Sequence, residues 1–569
     1  MFEKVNSLIK RNIHRYIYKM NKAYLRRINE IDQFQLSFEY SKELGNVKRS
    51  FNFSRSLSEN VESLLNRIST NVSKKLYKKR NKKSETSSEI VETSLLVNSE
   101  EISSSSICKD VFVPENNIIL SINGKSYQVL INSPWIESLS LPNSLLATFP
   151  VYPSKFETVF TDISLSQYVW SKSKDKIHWL EVACSYIYIP KNEDIDNYLK
   201  LSCTPVKNNF EGPAVEIVSN CKVEASPGHC PFERRHRFTK TRLQNKQFRV
   251  VTYNILADLY CDSDFSREVL FPYCPADALN IDYRKQLILK ELIGYNADCI
   301  CLQEVDRKVY KYDLHPILSH LGYKSNFHLK GDEVAEGLAF FYNEKRFKLL
   351  ESESFIFSDH IDKNELFSDI WTRIETNSQL KQRILNRTTT LQINIIKSLE
   401  QNEILVVGNI HLYFHPDADH IRLLQGGLAI KYLEHTVLNL RKQYDKERVS
   451  LIFCGDFNSV PSCGIYMLYT TGSVPGNYID YSSNKDEAIE NIDMKHSLQL
   501  ESACGTPKYT NFTAGFADCL DYIFIEKTNI GISQVIPLPS DEELTQHTAI
   551  PSIVCPSDHI ALISDLEWL

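Results

Sequence analysis

From residue 246 onward, six apolar runs begin or stop on a group that chemistry can use. That repetition constrains the fold more than any other feature of the chain. "FRVVTYNILAD" runs into Asn254, and "ADCICLQEV" into Gln303 and Glu304. "EILVVGNIHLYFHP" runs into Asn409, His411 and His415, and "IFCGDFNSVPSCGIY" into Asp456 and Asn458. "CLDYIFI" starts from Asp521, and "PSDHIALISDLEW" starts behind Asp558 and His559. Runs without polar alternation suit strands covered on both faces. Helical segments separate them, so residues 246–569 read as α/β. Polar groups at the ends of central strands can gather on one rim and face a cleft.

Such a rim has a definite chemistry. Glu304, Asp456, Asn254 and Asn458 offer hard oxygen ligands, which suit Mg²⁺, with Mn²⁺ as the alternative, rather than zinc. The histidines can donate to a phosphoryl oxygen, and a carboxylate beside His559 would hold its ring and favour the charged form. Asp456 can orient or deprotonate a water for in-line attack. Taken singly, a Glu after an apolar run is ordinarily a solvated strand end. Asp-x-Asn is ordinarily turn chemistry, and a lone histidine is ordinarily a satisfied core residue. Their coincidence at successive strand ends points to metal-assisted phosphodiester hydrolysis.

The blocks "YNILADLY", "LQEVD", "GNIHLYFHP", "GDFNSVPSCGIY", "YTNFTAGF…CLDYIFI" and "PSDHIAL" resemble, in order, those of the endonuclease/exonuclease/phosphatase superfamily. "YNILAD" and "HLYFHP" resemble its poly(A)-exonuclease branch of deadenylases, nocturnin and angel proteins. The resemblance implies a two-layer β-sandwich flanked by helices, an α/β (α+β) fold. It implies that Glu304 is the main Mg²⁺ ligand, that Asp456 and Asn458 share the metal site, and that Asn254 supports metal and phosphate. It makes Asp456, His559, His411, Asp521 and Asp558 the catalytic set. His411 and His559 would stabilise the developing charge, Asp521 would stand near the metal or behind His559, and Asp558 would orient that histidine. Asn409, Asn511, Pro416 and Phe516 would bind substrate, the last two sandwiching an adenine. Ile410 replaces the usual Thr, which predicts a packing change on the face away from His411. Gly426 and Gly427 fall in the next helix, each costing about 1 kcal/mol relative to Ala.

The implied reaction is Mg²⁺-dependent hydrolysis of oligo- and poly(A), 2′,5′- or 3′,5′-linked or both, releasing AMP. The alternatives are a nucleotide phosphatase of the nocturnin kind and a non-catalytic poly(A)-binding protein. RNA or oligoadenylate is the expected partner, and the sequence singles out no protein partner. The net charge of −6 leaves room for a local basic groove. No apolar stretch approaches the about 18 residues of a membrane span. The 14 cysteines include no Cys-x-x-Cys pair, which argues against a structural zinc site. His229, Cys230 and His236 lie close together but lack a fourth ligand nearby.

The N-terminal part reads differently. Residues 1–27 hold eight basic side chains against Glu3, with Val5, Leu8, Ile9, Ile13, Tyr16 and Ile17 at helical spacing. That composition predicts a mitochondrial transit peptide over about 1–40, hence the matrix, with the cytoplasm as the alternative. Residues 41–107 read as one helix near 58–73, capped by Ser58, and then a disordered basic and Ser-rich linker. Residues 108–240 read as a smaller all-β, sandwich-like domain, with a hairpin at Asn123-Gly124 and Trp170 and Trp179 in its core.

Overall fold

The computed structural model describes residues 21–28, 31–41, 48–77, 91–331 and 334–569. The unalternating runs become two facing six-stranded sheets. One has the order Tyr323–Leu329, Glu336–Asn343, Cys299–Asp306, Gln247–Asn254, Leu562–Trp568, Ile530–Val535. The other runs Phe347–Ile356, Thr390–Ser398, Glu403–His411, Arg448–Asp456, Asp521–Glu526, Leu500–Ser502. Val250, Cys301, Phe340, Leu405, Val407, Ile452, Cys454 and Ile523 fill the space between them. The helix Asp419–Gln443 covers the outer face of the second sheet, and the helix Ile281–Gly294 that of the first. Both faces of the central strands are therefore dry, which is why their sequences do not alternate.

Each sheet holds one parallel pair at its centre, Gln247–Asn254 with Cys299–Asp306 and Glu403–His411 with Arg448–Asp456. Parallel pairing aligns the C-terminal ends, so Asn254 stands beside Gln303 and His411 beside Asp456. The antiparallel neighbour sets Asp521 opposite Asp456. One rim of the sandwich thus collects the polar ends.

The N-terminal expectations need correction. The strands Asn21–Ile28, Gln33–Ser41 and Lys48–Ser56 join Lys125–Ile131, Ile118–Ile122, Thr93–Val97 and Glu100–Glu101 in one seven-stranded sheet. Ala23, Leu25, Phe34, Leu36 and Phe38 are buried in its core. A leader ending near residue 40 would remove two core strands, so that boundary does not hold. The helix expected over Val5–Ile17 lies outside the described residues, as do 78–90 of the expected linker; 91–101 are ordered strand and turn. The helix is Val61–Tyr77, and its cap is Asn60, not Ser58: Asn60 Oδ1 accepts from the Ser63 N–H at 2.9 Å. The hairpin forms as expected, with φ +48° at Asn123 and +76° at Gly124, the values a two-residue type I′ turn needs.

The region expected as a β-sandwich over 108–240 is divided. Its first hairpin belongs to the N-terminal sheet. The rest forms a five-stranded sheet built on Asp162–Ser173 and Tyr198–Lys207 and a separate two-stranded sheet of Trp135–Ser140 with Ser154–Val159. The five-stranded sheet buries Trp170, Leu199 and Leu201 in one cluster with Leu287, Leu292 and Ile317 of the α/β domain. The same cluster takes in Ile136, Leu139 and Phe156 of the two-stranded sheet, so the five-stranded sheet packs on both that sheet and the neighbouring domain. Trp179 is only half-buried, beneath the Lys200 ammonium, and is not a core residue.

Candidate active site

Asn254 joins the two sheets at the rim. Its Nδ2 donates to Glu304 Oε1 at 2.9 Å and to Asp456 Oδ2 at 3.0 Å. Glu304 reaches the rim because its strand breaks alternation. Pairing with Glu336–Asn343 shifts register between Leu302 and Val305, and Glu304 has φ +55°. Such a bulge re-aims a side chain. Gln303 can then point between the sheets, donating to Asn409 Oδ1 at 2.8 Å, while Glu304 faces the rim. The Ala257 N–H holds Glu304 Oε2 at 3.0 Å.

His559 Nδ1 lies 2.8 Å from Asp521 Oδ2, and its Nε2 lies 3.5 Å from Asp456 Oδ2. His411 Nε2 stands 3.6 Å from Asp456 Oδ2 and 3.9 Å from Glu304 Oε1. Asp456 also accepts the Asn458 N–H at 2.9 Å, closing the tight Asp-x-Asn turn, and Asn458 Nδ2 donates to Leu412 O. Phe457 between them turns into the core against Phe453, Tyr469 and Phe524.

Burial sets the electrostatics of these groups. Glu304 is pushed up to about 8 by burial, and then by the charges of Asp558 and Glu336. Asp456 rises to about 6, chiefly through burial and against the pull of His559. Burial opposes the charged form of His559, but Asp521, Asp456 and Asp558 outweigh it and hold the ring protonated. His411 is driven neutral by burial, with Lys330 and His559 adding positive charge beside it.

The donor set fits a divalent cation. Glu304 and Asp456 are buried carboxylates separated by one amide, and their raised pKa values register burial first and neighbouring carboxylates second, a cost that a hard cation would offset. Asp456, Asp521 and His559 also bring one ligand atom each to within 4.8 Å of one another. His559 Nδ1 is held by Asp521, whose charge favours the protonated ring, a form with no lone pair to give. Glu304 and Asp456, bridged by the Asn254 amide, would hold such an ion.

Asn254, Glu304, His411, Asp456, Asp521 and His559 thus come together, with Asn458 beside them. Asp558 stands one step out, accepting from Asn511 Nδ2 at 3.2 Å. The orienting carboxylate of His559 is Asp521 rather than Asp558, because Asp521 is the one on the ring nitrogen. Asn409 does not face the cleft. It is fully buried, and its Nδ2 donates to Leu302 O, Ala339 O and Gln392 Oε1, so it ties the sheets together rather than binding substrate. Pro416 and Phe516 lie on exposed loops outside the hydrogen-bonded cluster. The three residues near 229–236 diverge: His229 pairs with Glu233, His236 with the Glu291 carbonyl, and Cys230 is buried.

Two charged neighbours were missed from the sequence. Glu336 is 1% exposed and opens an apolar strand, the same signature that marked Asp521. Lys330 lies 3.5 Å from Glu336, and nothing in its local sequence sets it apart.

Residues 251–559 match the Endonuclease/Exonuclease/phosphatase family, and residues 133–224 match the 2',5'-phosphodiesterase 12-like N-terminal domain. The chain is similar to the 2',5'-phosphodiesterase 12 of Rattus norvegicus, 40% identical over 475 residues, covering 80% of this chain and 77% of that protein. It is equally similar to that of Homo sapiens, 40% identical across 80% of this chain and 76% of that one. A more distant relative is the CCR4-Not complex 3'-5'-exoribonuclease subunit Ccr4 of Candida glabrata, 26% identical over 65% of this chain and 42% of that protein.

Proposed function

The chain belongs to the endonuclease/exonuclease/phosphatase family of hydrolases, and from that premise we propose that it removes adenylate residues from the free end of oligoadenylates, 2′,5′- and 3′,5′-linked, releasing AMP with Mg²⁺ as cofactor. The observation that carries this reading is the Asn254 amide bridging Glu304 and Asp456, with the Asp521-held His559 at 3.5 Å from Asp456. Relatives named for a 2',5'-phosphodiesterase and a 3'-5'-exoribonuclease support the two linkages.

Glu304 and Asp456 would hold the Mg²⁺ (Mn²⁺ as alternative), which would supply Lewis-acid polarisation of a phosphoryl oxygen and offset the charge that grows on it. The chain's own groups do the rest. Asp456 is ionised near neutrality and accepts the proton of the attacking water. The water oxygen bonds to phosphorus as the bond to the upstream ribose oxygen breaks, and that leaving oxygen takes a proton from solvent water to become the ribose hydroxyl. Protonated His559 donates from Nε2 to a non-bridging oxygen, and Asp521 fixes the tautomer and angle of the ring. Neutral His411 donates a further hydrogen bond without adding repulsion beside His559. Exposed Phe516 and Pro416 offer stacking surfaces, worth roughly 1–3 kcal/mol per base.

The test is a product assay on 2′,5′-A₃, 3′,5′-A₃ and 3′,5′-U₃ with Mg²⁺ and an EDTA blank. The expected result is AMP from the adenylates, lost with EDTA and weak on U₃, with D456A lowering kcat by about 10³-fold or more while binding persists. Inorganic phosphate as the product would replace this reading with a phosphatase. Binding without any product would replace it with a binding protein. Undiminished cleavage by D456A would remove Asp456 from the site.

We also propose that the substrate is mitochondrial RNA, on the basic composition of residues 1–20. A reporter carrying residues 1–20 that stays in the cytosol would overturn this.

A further inference from the structure

The helix Ile281–Gly294 lies beneath the rim and contributes no group to it, yet one of its side chains touches both loops that do. Arg284 is fully buried. Its Nε donates to Leu279 O at 2.8 Å, and its Nη1 is shared among Leu256 O at 2.7 Å, Pro556 O at 3.2 Å and Ile255 O at 3.3 Å. Ile255 and Leu256 connect Asn254 to Ala257, whose N–H holds Glu304. Pro556 leads through Ser557 and Asp558 to His559. A second tie runs parallel: Ser557 Oγ donates to Asn254 O at 2.8 Å and accepts the His559 N–H at 3.1 Å.

Every partner of Arg284 is a backbone carbonyl, and its Nη2 has none. Arg249 and Arg346, also buried, instead meet Asp565 and Asp298. A guanidinium buried without a carboxylate against it is expensive unless a nearby field compensates. Asp306, at the end of the strand that carries Glu304, lies within reach of the Arg284 charge and supplies part of that field. Lysine cannot replace the geometry, because the Nε bond to Leu279 O fixes the plane that aims Nη1 at the two loops, and an ammonium on a flexible stem has no such second donor.

We propose that Arg284 is a positioning residue for the hydrolysis: it sets the separation between the Asn254–Glu304 half of the site and the Asp558–His559 half. This rests on the phosphodiesterase reading for its kinetic consequence, but the loop geometry can be tested without it. Displacements near 1 Å in such sites cost about 10²-fold in rate.

The experiment compares wild type, R284K, R284M and the control R249K, whose arginine is buried at the other end of the Gln247–Asn254 strand. It measures melting temperature, AMP release, and amide hydrogen exchange by mass spectrometry. In R284K, kcat on oligoadenylate should fall about 30-fold or more with KM within about 3-fold, and R284M should fall further. R249K should lose comparable thermal stability while keeping kcat within about 3-fold. Exchange in R284K should rise over residues 255–258 and 556–560 and stay unchanged over 448–456. If wild type releases no AMP but these two segments still loosen together, the positioning role stands and the substrate reading falls. Unchanged exchange and kcat in R284K, or a kcat loss that R249K reproduces at equal loss of stability, overturns the proposal. Failure of both Arg284 variants to fold also overturns it, leaving a core residue.

Discussion

Glu304 and Asp456 share one amide donor and still sit in different titration ranges, about 8 and about 6. The sign of the consequence follows from proton counting. Between the ordinary carboxylate value of 4.5 and its folded value, Glu304 binds more proton in the folded chain than in the unfolded one. Stability therefore falls as pH rises through that window. Each unit of difference is worth about 1.4 kcal/mol. A divalent ion on the ionised carboxylates opposes the fall. In EDTA, the melting temperature should drop by several degrees from about pH 5 to pH 8, and excess Mg²⁺ should flatten that slope. His411 titrates with the opposite sign, because burial keeps it neutral in the folded chain. The E304Q variant isolates the Glu304 share: its slope in EDTA should be shallower than that of wild type. Equal slopes in the two proteins, with no response to Mg²⁺, would show that Glu304 is neither strained nor metal-bound.

The elements explain what could be read in advance. Central strands dry on both faces are mostly apolar along their length, so polar groups at their ends stand out. That contrast exposed Asn254, Glu304, Asp456, Asp521 and His559. The same signal misplaced Asn409, because a strut between two sheets and a ligand at a rim look alike at the end of an apolar run. Gly426 and Gly427 have a packing reason invisible to helix propensity. A Cβ at Gly427 would lie 2.6 Å from Met494 Sδ, and one at Gly426 2.9 Å from the Tyr469 hydroxyl. Gly455 has a related reason: a Cβ there would come within 2.1 Å of Ile410 O, on the strand that delivers His411. The strands Asn21–Ile28, Gln33–Ser41 and Lys48–Ser56 were hidden by their charge. Ala23 and Leu25, Phe34 to Tyr40, and Phe51 and Phe53 alternate inward, a period-two pattern. The arginines between them look like a leader until Arg26 is seen paired with Glu137 and Arg27 donating to Phe112 O.

At the scale of the whole molecule, the question is which parts stand alone. The N-terminal sheet closes its own core with the helix Val61–Tyr77, through Val61, Leu64, Ile68 and Val72. Among the described residues it meets the five-stranded sheet through the exposed ion pair Lys22–Glu211 at 3.9 Å, which contributes little. The five-stranded sheet is different. It shares one apolar cluster with the α/β domain. Polar bonds are buried in the same seam: Gln286 Oε1 accepts the Leu146 N–H at 3.0 Å, and Tyr152 donates to Asp313 at 2.6 Å. Removing Tyr152 would leave Asp313 with Lys285 alone, and an unsatisfied buried group costs about 1–3 kcal/mol. Leu287, Leu292 and Ile317 would meet water at the same time. A chain beginning at residue 133 should therefore stay soluble, melt as one unit and keep its kcat on a trinucleotide. A chain beginning at 246 should aggregate or melt at least about 10 °C lower, since each kcal/mol lost shifts the midpoint by a few degrees. Calorimetry on the two truncations decides it. An unchanged midpoint for the shorter chain would mean that the shared cluster carries no stability and that the five-stranded sheet is a separable domain.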